Sequence, residues 1–370
     1  MKMTTAEINF AEGLDAETYY KHEWNKIEMD SIFYKSWIYA IHESQLPNQG
    51  SYATITIGDK PLVLIRGKDE VVRCFYNVCT HRGHRLVEEG SGNISKFVCP
   101  YHVWAYDTCG FIKSARGVPD LTSIPEERHQ LTSVEVDSIM GFIYIRFTHE
   151  GPPLREYFGS TFNRLKECIP NISQLKFARR YSYTINGNWK LMIENYLECY
   201  HCAPTHPALA DLFNLKDFNL KYFTYDIETK SSAGKPDNIA YHFDSKTAKQ
   251  KGFSGWWLWP NMTWNVFPGV DNLLLFYILP TGPESCVSFC DYFFIDRNIG
   301  KEEEAIMSWE TGVLELEDNA LVESVHKGLR SGGLSKNIYL IDENSGENTE
   351  KPLVHFNNLI TEIYKSNSKK

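Results

Sequence analysis

Cys79-Thr80-His81-Arg82-Gly83-His84-Arg85-Leu86 is followed, with seventeen residues between His81 and the next cysteine, by Cys99-Pro100-Tyr101-His102-Val103-Trp104. Two thiols and two imidazoles thus sit in a matched pair of short segments, C-x-H and C-x-x-H. Zinc accepts the same four donors, but the one-residue gap in Cys79-x-His81 is tighter than the roughly two to four residues of structural zinc knuckles. A mixed-ligand [2Fe–2S] cluster needs this set, with Cys79 and Cys99 on one iron and His81 and His102 on the other. Neutral imidazoles in place of two thiolates leave the cluster less negative and raise its reduction potential. Gly83 and Pro100 suit loops whose backbone N–H groups approach the sulfides. His84 lies outside the ligand pattern and reads as a loop residue.

The flanking sequence has the period and punctuation of antiparallel hairpins. SYATITI from Ser51, PLVLIRG from Pro61 and VVRCFY from Val71 are separated by Gly58-Asp59-Lys60 and Lys68-Asp69-Glu70, and such turn residues between alternating runs predict paired strands. GFIYIRF, Gly141–Phe147, adds a strand that closes a small β domain near residue 150, and Gly151-Pro152-Pro153 marks a boundary. Residues 1–37 are expected as an N-terminal helical segment, its helix over Glu17–Trp37 packing on the later domain through Tyr20, Trp24, Ile27, Ile32 and Phe33. Residues 38–150 form the cluster domain and residues 151–370 a second domain. The latter shows helices at about 155–168, 301–329 and 352–364, and strands at Arg179–Ile185, Leu220–Thr229, Met262–Phe267, Asn272–Leu279 and Val287–Ile295. Strands grouped into a largely antiparallel sheet with helices beside it make the class α+β.

With 370 residues, 42% hydrophobic and 14% aromatic, the chain has material for two cores. A net charge of −9 without a dense Lys/Arg run argues against a nucleic-acid or anionic-membrane surface. No apolar run approaches the roughly 18 residues of a membrane span, so a cytoplasmic protein is expected. Nine cysteines do not resemble a secreted disulfide framework. Cys74, Cys109, Cys168, Cys286 and Cys290 read as small core residues, and Cys199 and Cys202 as packed helix positions.

A second metal-binding pattern lies in Asn188–Pro207, NWKLMIENYLECYHCAPTHP. On a helix, Asn195, Glu198 and His201 share one face. His206 does not fit that face. Pro204 breaks the helix and the chain brings His206 round from an irregular segment. Two imidazoles converging in this way suit a divalent first-row metal.

With CTHRGHRL and CPYHVW in front and NWK, EN, ECYHC and THP behind, the whole chain resembles the α subunit of a Rieske non-haem iron oxygenase. The resemblance implies a Rieske [2Fe–2S] cluster, a helix-grip catalytic domain, and a mononuclear Fe(II) held by His201, His206 and a downstream Asp. It also implies that Glu198 bridges the two centres, contacting His201 in its own chain and the Rieske histidine of a neighbouring chain, in a head-to-tail homotrimer. Glu rather than Asp at this position resembles the branch that oxidises quaternary ammonium compounds such as carnitine, glycine betaine and stachydrine. For the third ligand, spacings of four, four, three and four through Leu314, Asp318, Val322, Val325 and Leu329 place Asp318 on an apolar helix stripe, where a carboxylate needs a partner. The family segment agrees with Asp318, and Glu317 and Glu315 compete with it.

The expected reaction is monooxygenation, by demethylation or C–N cleavage, with O2 and with electrons from NAD(P)H. No flavin or nucleotide fingerprint occurs in the chain, so a separate flavin/iron–sulfur reductase is expected as partner. Trp256, Trp257, Trp259 and Trp264 fall within ten residues and, with Phe223 and Phe267 as neighbours, offer cation–π faces to a trimethylammonium group, against a bland reading as sheet core. An aromatic-ring hydroxylase or O-demethylase is the alternative enzyme. A Rieske electron carrier or a zinc-stabilised binding protein is the alternative of another class.

Overall fold

The computed structural model describes residues 9–235, 237–296 and 299–368. The chain divides into two compact units, Phe33–Tyr157 and the remainder, in which the described residues up to Ile32 join those from Phe158 onward. Among the described residues no helix is long and apolar enough to cross a membrane.

In the Phe33–Tyr157 unit a seven-stranded sheet runs in the order Ile38–His42, Phe142–Arg146, Ser133–Ile139, Val72–Tyr76, Lys60–Arg66, Ser51–Ile57, Ser91–Asn93. The register Ile57↔Lys60 leaves Gly58-Asp59 as the turn, with Gly58 at φ +60°. A three-stranded sheet, Phe97–Val98, Ala105–Tyr106 and Ile112–Ser114, packs its Phe97, Tyr106 and Ile112 into a core with Phe75 and Leu131. The unit begins before residue 38 and ends after residue 150. Trp37 Nε1 donates to the Pro152 carbonyl (3.2 Å), and buried Arg146 stacks on the Trp37 ring (4.4 Å) while donating to the same oxygen (2.9 Å). These contacts draw both flanks into the β unit.

The second unit is built on a seven-stranded antiparallel sheet ordered Lys176–Ile185, Ser285–Phe294, Asn272–Gly282, Met262–Val266, Gly252–Leu258, Asp226–Ser232, Asn219–Tyr222. The α+β expectation holds. Helices Trp189–Leu197, Glu315–Arg330 and Lys351–Asn367 gather beside it. The NWK motif starts the first of these. Asn188 caps it by accepting from the Lys190 N–H (3.0 Å). Lys190, fully buried, pairs with equally buried Glu28 (2.6 Å), and Trp189 Nε1 donates to the other Glu28 oxygen (2.8 Å). A buried pair of this kind fixes one packing arrangement, because separating it strands a charge at a cost of roughly 3–5 kcal/mol.

Several elements differ from their sequence-based expectation. The continuous helix over Glu17–Trp37 is instead a 3-10 turn Ala16–Tyr19, an α-helix His22–Glu28 and a π turn Met29–Phe33. Leu220–Thr229 is a hairpin rather than one strand, because the Phe223 N–H closes a turn on the Asp226 carbonyl (2.9 Å). The single helix at 301–329 is interrupted by a π turn at Glu310–Leu314. Asn9–Asp15 and Lys336–Ile341, distant in sequence, pair as an additional antiparallel ribbon.

Candidate metal centres

The two cysteine segments fold into the same turn. In each, the cysteine N–H donates to the carbonyl five residues on, Cys79 to His84 and Cys99 to Trp104 (both 2.8 Å), and the N–H of the fourth residue returns to the cysteine carbonyl (both 3.0 Å). That fourth residue is left-handed in both, Gly83 at φ +75° and Val103 at φ +61°. Glycine accepts this without penalty, whereas a β-branched residue there stores about 1–3 kcal/mol of strain. Cys79 and Cys99 are buried free thiols. The His81 and His102 ring centroids lie 4.7 Å apart, and Trp104 stacks on His81 (4.6 Å, 6°). Tyr106 brings its hydroxyl to 3.3 Å from Cys79 Sγ and 2.9 Å from Thr80 Oγ1. His102 Nδ1 is buried with no hydrogen-bond partner among the described residues. An orphaned imidazole nitrogen beside two unpaired thiols is a donor set that fits a Rieske cluster. His84 stands apart, exposed, with Nδ1 2.6 Å from the Arg85 carbonyl.

The second centre forms where a helix ends. The Trp189–Leu197 helix stops one residue before Glu198, whose φ −124° and ψ 160° are extended. Glu198 and His201 therefore do not share a helix face with Asn195. They meet instead in a turn, where Glu198 accepts from both the ring Nδ1 and the backbone N–H of His201. Cys199 and Cys202 are not packed helix positions either; a disulfide joins them across this turn. Pro204 lies inside a short helix, Cys202–Thr205, where no backbone donor is required. The break falls at His206 (φ −118°, ψ 72°), before the Pro207–Leu212 helix.

His201 Nε2 and His206 Nε2 converge on Asp318 Oδ1, at 3.4 and 3.0 Å, and the three donor atoms lie within 4.8 Å of one another. Two imidazole nitrogens and one carboxylate in this arrangement fit a facial 2-His-1-carboxylate iron site. Each outer nitrogen has its own carboxylate, Glu198 on His201 and Glu317 on His206 (2.7 Å), the usual device for fixing a ligating tautomer. Glu317, a competitor for the third position, thus faces the far side of His206. Asn195 Nδ2 is 3.4 Å from His201 Nε2. Burial resists charge on His201, but hydrogen bonds to Asp318 and Glu198 raise it to about 10. Burial likewise pushes Asp318 upward, and its two histidines overcome this and hold it at about 2. The buried stripe of the Glu315–Arg330 helix is Glu315, Val322, His326 and Leu329. Val325 is exposed, contrary to the stripe drawn from sequence.

A cavity of about 110 Å³ opens beside these residues, walled by Phe213, Phe218, Phe253, Phe267 and Phe276 among others. None of Trp256, Trp257, Trp259 or Trp264 lines it. All four are core side chains of one hairpin, Trp257 and Trp259 packing on Phe356 and Trp264 on Phe162. Of the aromatic neighbours expected with them, Phe267 reaches the cavity, whereas Phe223 lies under the Arg164 guanidinium (3.6 Å). Glu310 and Glu315 also line the cavity. Their carboxyl oxygens and Cys290 Sγ lie within 4.8 Å of one another. Burial raises Glu310 to about 7 and pushes Glu315 up as well, with the neighbouring acids adding to the rise.

Residues 36–125 match the Rieske [2Fe-2S] domain family and residues 172–366 the ring hydroxylating alpha subunit (catalytic domain) family. The chain belongs to the Rieske ring-hydroxylating oxygenase family. It is 32% identical to the carnitine monooxygenase oxygenase subunit of Escherichia coli (strain K12), over 91% of this chain and 90% of that protein. It is 36% identical to the glycine betaine monooxygenase oxygenase subunit of Pseudomonas aeruginosa (strain UCBPP-PA14), over 50% of this chain and 42% of that one. A solved quaternary ammonium Rieske monooxygenase superposes with a TM-score of 0.89 at 29% identity, covering 95% of both chains.

The oxygenase family resolves the choice of class: the chain is an oxidoreductase, and the zinc-stabilised and electron-carrier readings fall away. A Rieske cluster stores an electron and a mononuclear iron activates O2 with electrons that start on NAD(P)H and pass through a reductase. Around those groups, this chain's residues supply two turns for the cluster, a buried histidine–carboxylate set, and a phenyl-walled cavity. Sequence reasoning missed Phe213, Phe218, Phe253 and Phe276 and the places of Glu310 and Tyr106. Their signal is through-space proximity, which local spacing does not carry.

Proposed function

We propose that this chain is the oxygenase component of a monooxygenase for an N-methylated quaternary ammonium compound. The observation that carries the reading is the phenyl-walled cavity beside His201, His206 and Asp318, in a chain similar along most of its length to a carnitine monooxygenase subunit. Ring faces attract an ammonium group that cannot donate hydrogen bonds. In this reading Cys79, Cys99, His81 and His102 hold the cluster. His201, His206 and Asp318 hold the iron, Glu198 and Glu317 fix the two imidazoles, and Asn195 faces the cavity beside His201. The C–H bond attacked lies next to the cationic nitrogen, giving demethylation or C–N cleavage.

Glu198 carries the second half of the proposal. Beside His201, it is positioned as the link to the Rieske histidine of a neighbouring chain in a head-to-tail homotrimer working in the cytoplasm, because heterologous contacts of this kind close into a ring. With a matched reductase, a screen of quaternary ammonium compounds and aromatic acids for substrate-dependent O2 and NAD(P)H consumption is expected to respond to the former. A response to aromatics alone overturns the proposal. Mixing Cys99→Ala chains with His206→Ala chains is expected to restore partial activity, and none in verified mixed trimers sinks the inter-chain route.

A further inference from the structure

The cavity holds a feature beyond its phenyl wall. Glu315 is buried to 5% exposure, and its Oε2 has no hydrogen-bond partner among the described residues. Glu310, 2% exposed, accepts from the Tyr292 hydroxyl and lies 3.8 Å from Cys290 Sγ. Neither acid has a Lys or Arg partner among the described residues, and none of the described residues lining the cavity is a Lys or Arg. Two of the wall's neutral donors are already engaged, Tyr196 OH with Asn265 Oδ1 (2.7 Å) and Asn265 Nδ2 with Thr263 (2.8 Å).

Two buried acids this close share one proton and leave one negative charge, since both cannot ionise side by side. An ammonium head seated between this pair and the phenyl rings compensates that charge. A carboxylate on the same ligand meets no Lys or Arg on the wall, and where it faces the acids it bears the cost of like charge in a buried site. Resting on the quaternary-ammonium reading above, we infer that Glu310 and Glu315 form the cation subsite. The preferred substrate is then a quaternary ammonium cation without a carboxylate, rather than a zwitterionic betaine. Because Glu315 is one helical turn before Asp318, this subsite sets the N-methyl groups next to the iron ligands.

Choline and glycine betaine differ essentially in that carboxylate and form the test pair. Anaerobic calorimetry on the iron-replete protein is expected to show choline binding at least about tenfold more tightly than glycine betaine or L-carnitine, the factor for losing one modest polar contact. The double variants Glu310→Gln/Glu315→Gln and Glu310→Gln/Glu315→Met are expected to weaken choline by about tenfold and to narrow the ratio, with cluster absorbance and iron content unchanged, because either acid alone keeps the one negative charge. Should the first not fold, the second and the wild-type ratio carry the same test. A betaine binding as tightly as choline overturns the inference and leaves the quaternary-ammonium reading standing. So does unchanged choline affinity in both variants. Binding of neutral aromatics with none of the three ammonium compounds overturns both.

Discussion

Cys79–His84 and Cys99–Trp104 each set their ligands by two backbone hydrogen bonds inside six residues, whereas His206 and Asp318 meet across a separation of 112. The contrast extends to exposure: His81 lies at the surface and His206 is 1% exposed. A centre that receives electrons from another protein is served by local, surface-presented turns. A centre that handles O2 beside a C–H bond is served by burial, and burial forces its ligands to come from separate elements. The first is then held by loop conformation and the second by the core beneath it, where Lys190, Glu28 and Glu194 pack the helix that leads into the Glu198–His201 turn. Each prediction below probes one side of this division.

The largest effect is expected on the non-local side. Asp318→Ala removes the ligand both imidazoles face, and the loss of activity should exceed the ~100-fold typical of an outer-shell partner. Iron per chain should drop from about three to about two with the Rieske absorbance intact, as expected for two irons in the cluster and one in the facial site. Retention of all the iron moves the third ligand elsewhere and breaks the comparison.

The polar floor under that centre gives the next effect. Burial raises the Glu194 carboxyl to about 7, against hydrogen bonds from Tyr19 and Tyr339 and the charge of Lys190. Its folded value lies above the unfolded 4.5, so its contribution is fully present below that value and is lost as pH rises through about 7. The shift corresponds to about 3 kcal/mol. Urea denaturation between pH 5 and 8 should show this decline in the wild type and a flatter profile in Glu194→Gln. Parallel profiles contradict it.

The smallest effect belongs to the local side. At φ +75° an added Cβ costs about 1–2 kcal/mol, and no atom lies within 4 Å of where it would sit at Gly83. Gly83→Ala should therefore lower the temperature at which the cluster bleaches through backbone strain alone. Val103→Gly should raise it through a stabilisation of about 1 kcal/mol or less, strain relief being partly offset by glycine entropy. Equal responses to the two substitutions would mean that the turns are not equivalent.

The cysteine–histidine segments were legible because their geometry is their sequence: four donors, two turns, one left-handed residue in each. His201 and His206 were legible as a pair for the same reason. The helix drawn through Glu198 failed because the good helix formers up to Leu197 set a helical period, whereas the Glu198–His201 contact and the Cys199–Cys202 disulfide that favour a turn leave no periodic signal. The tryptophan cluster misled because a large aromatic side chain fills a sheet core and a cation site with the same composition.

By itself the sequence singled out the Cys79, His81, Cys99 and His102 donors and the His201–His206 pair, and it determined the α+β class and most strands of both sheets, since period, turn residues and short-range spacing are properties of neighbouring residues. Tertiary structure decided which acid among Glu315, Glu317 and Asp318 faces the imidazoles. It also decided that phenylalanines rather than tryptophans wall the cavity, and that a π turn brings Glu310 to Glu315. These depend on which side chains lie within a few ångströms after packing, and packing couples residues that no local pattern links.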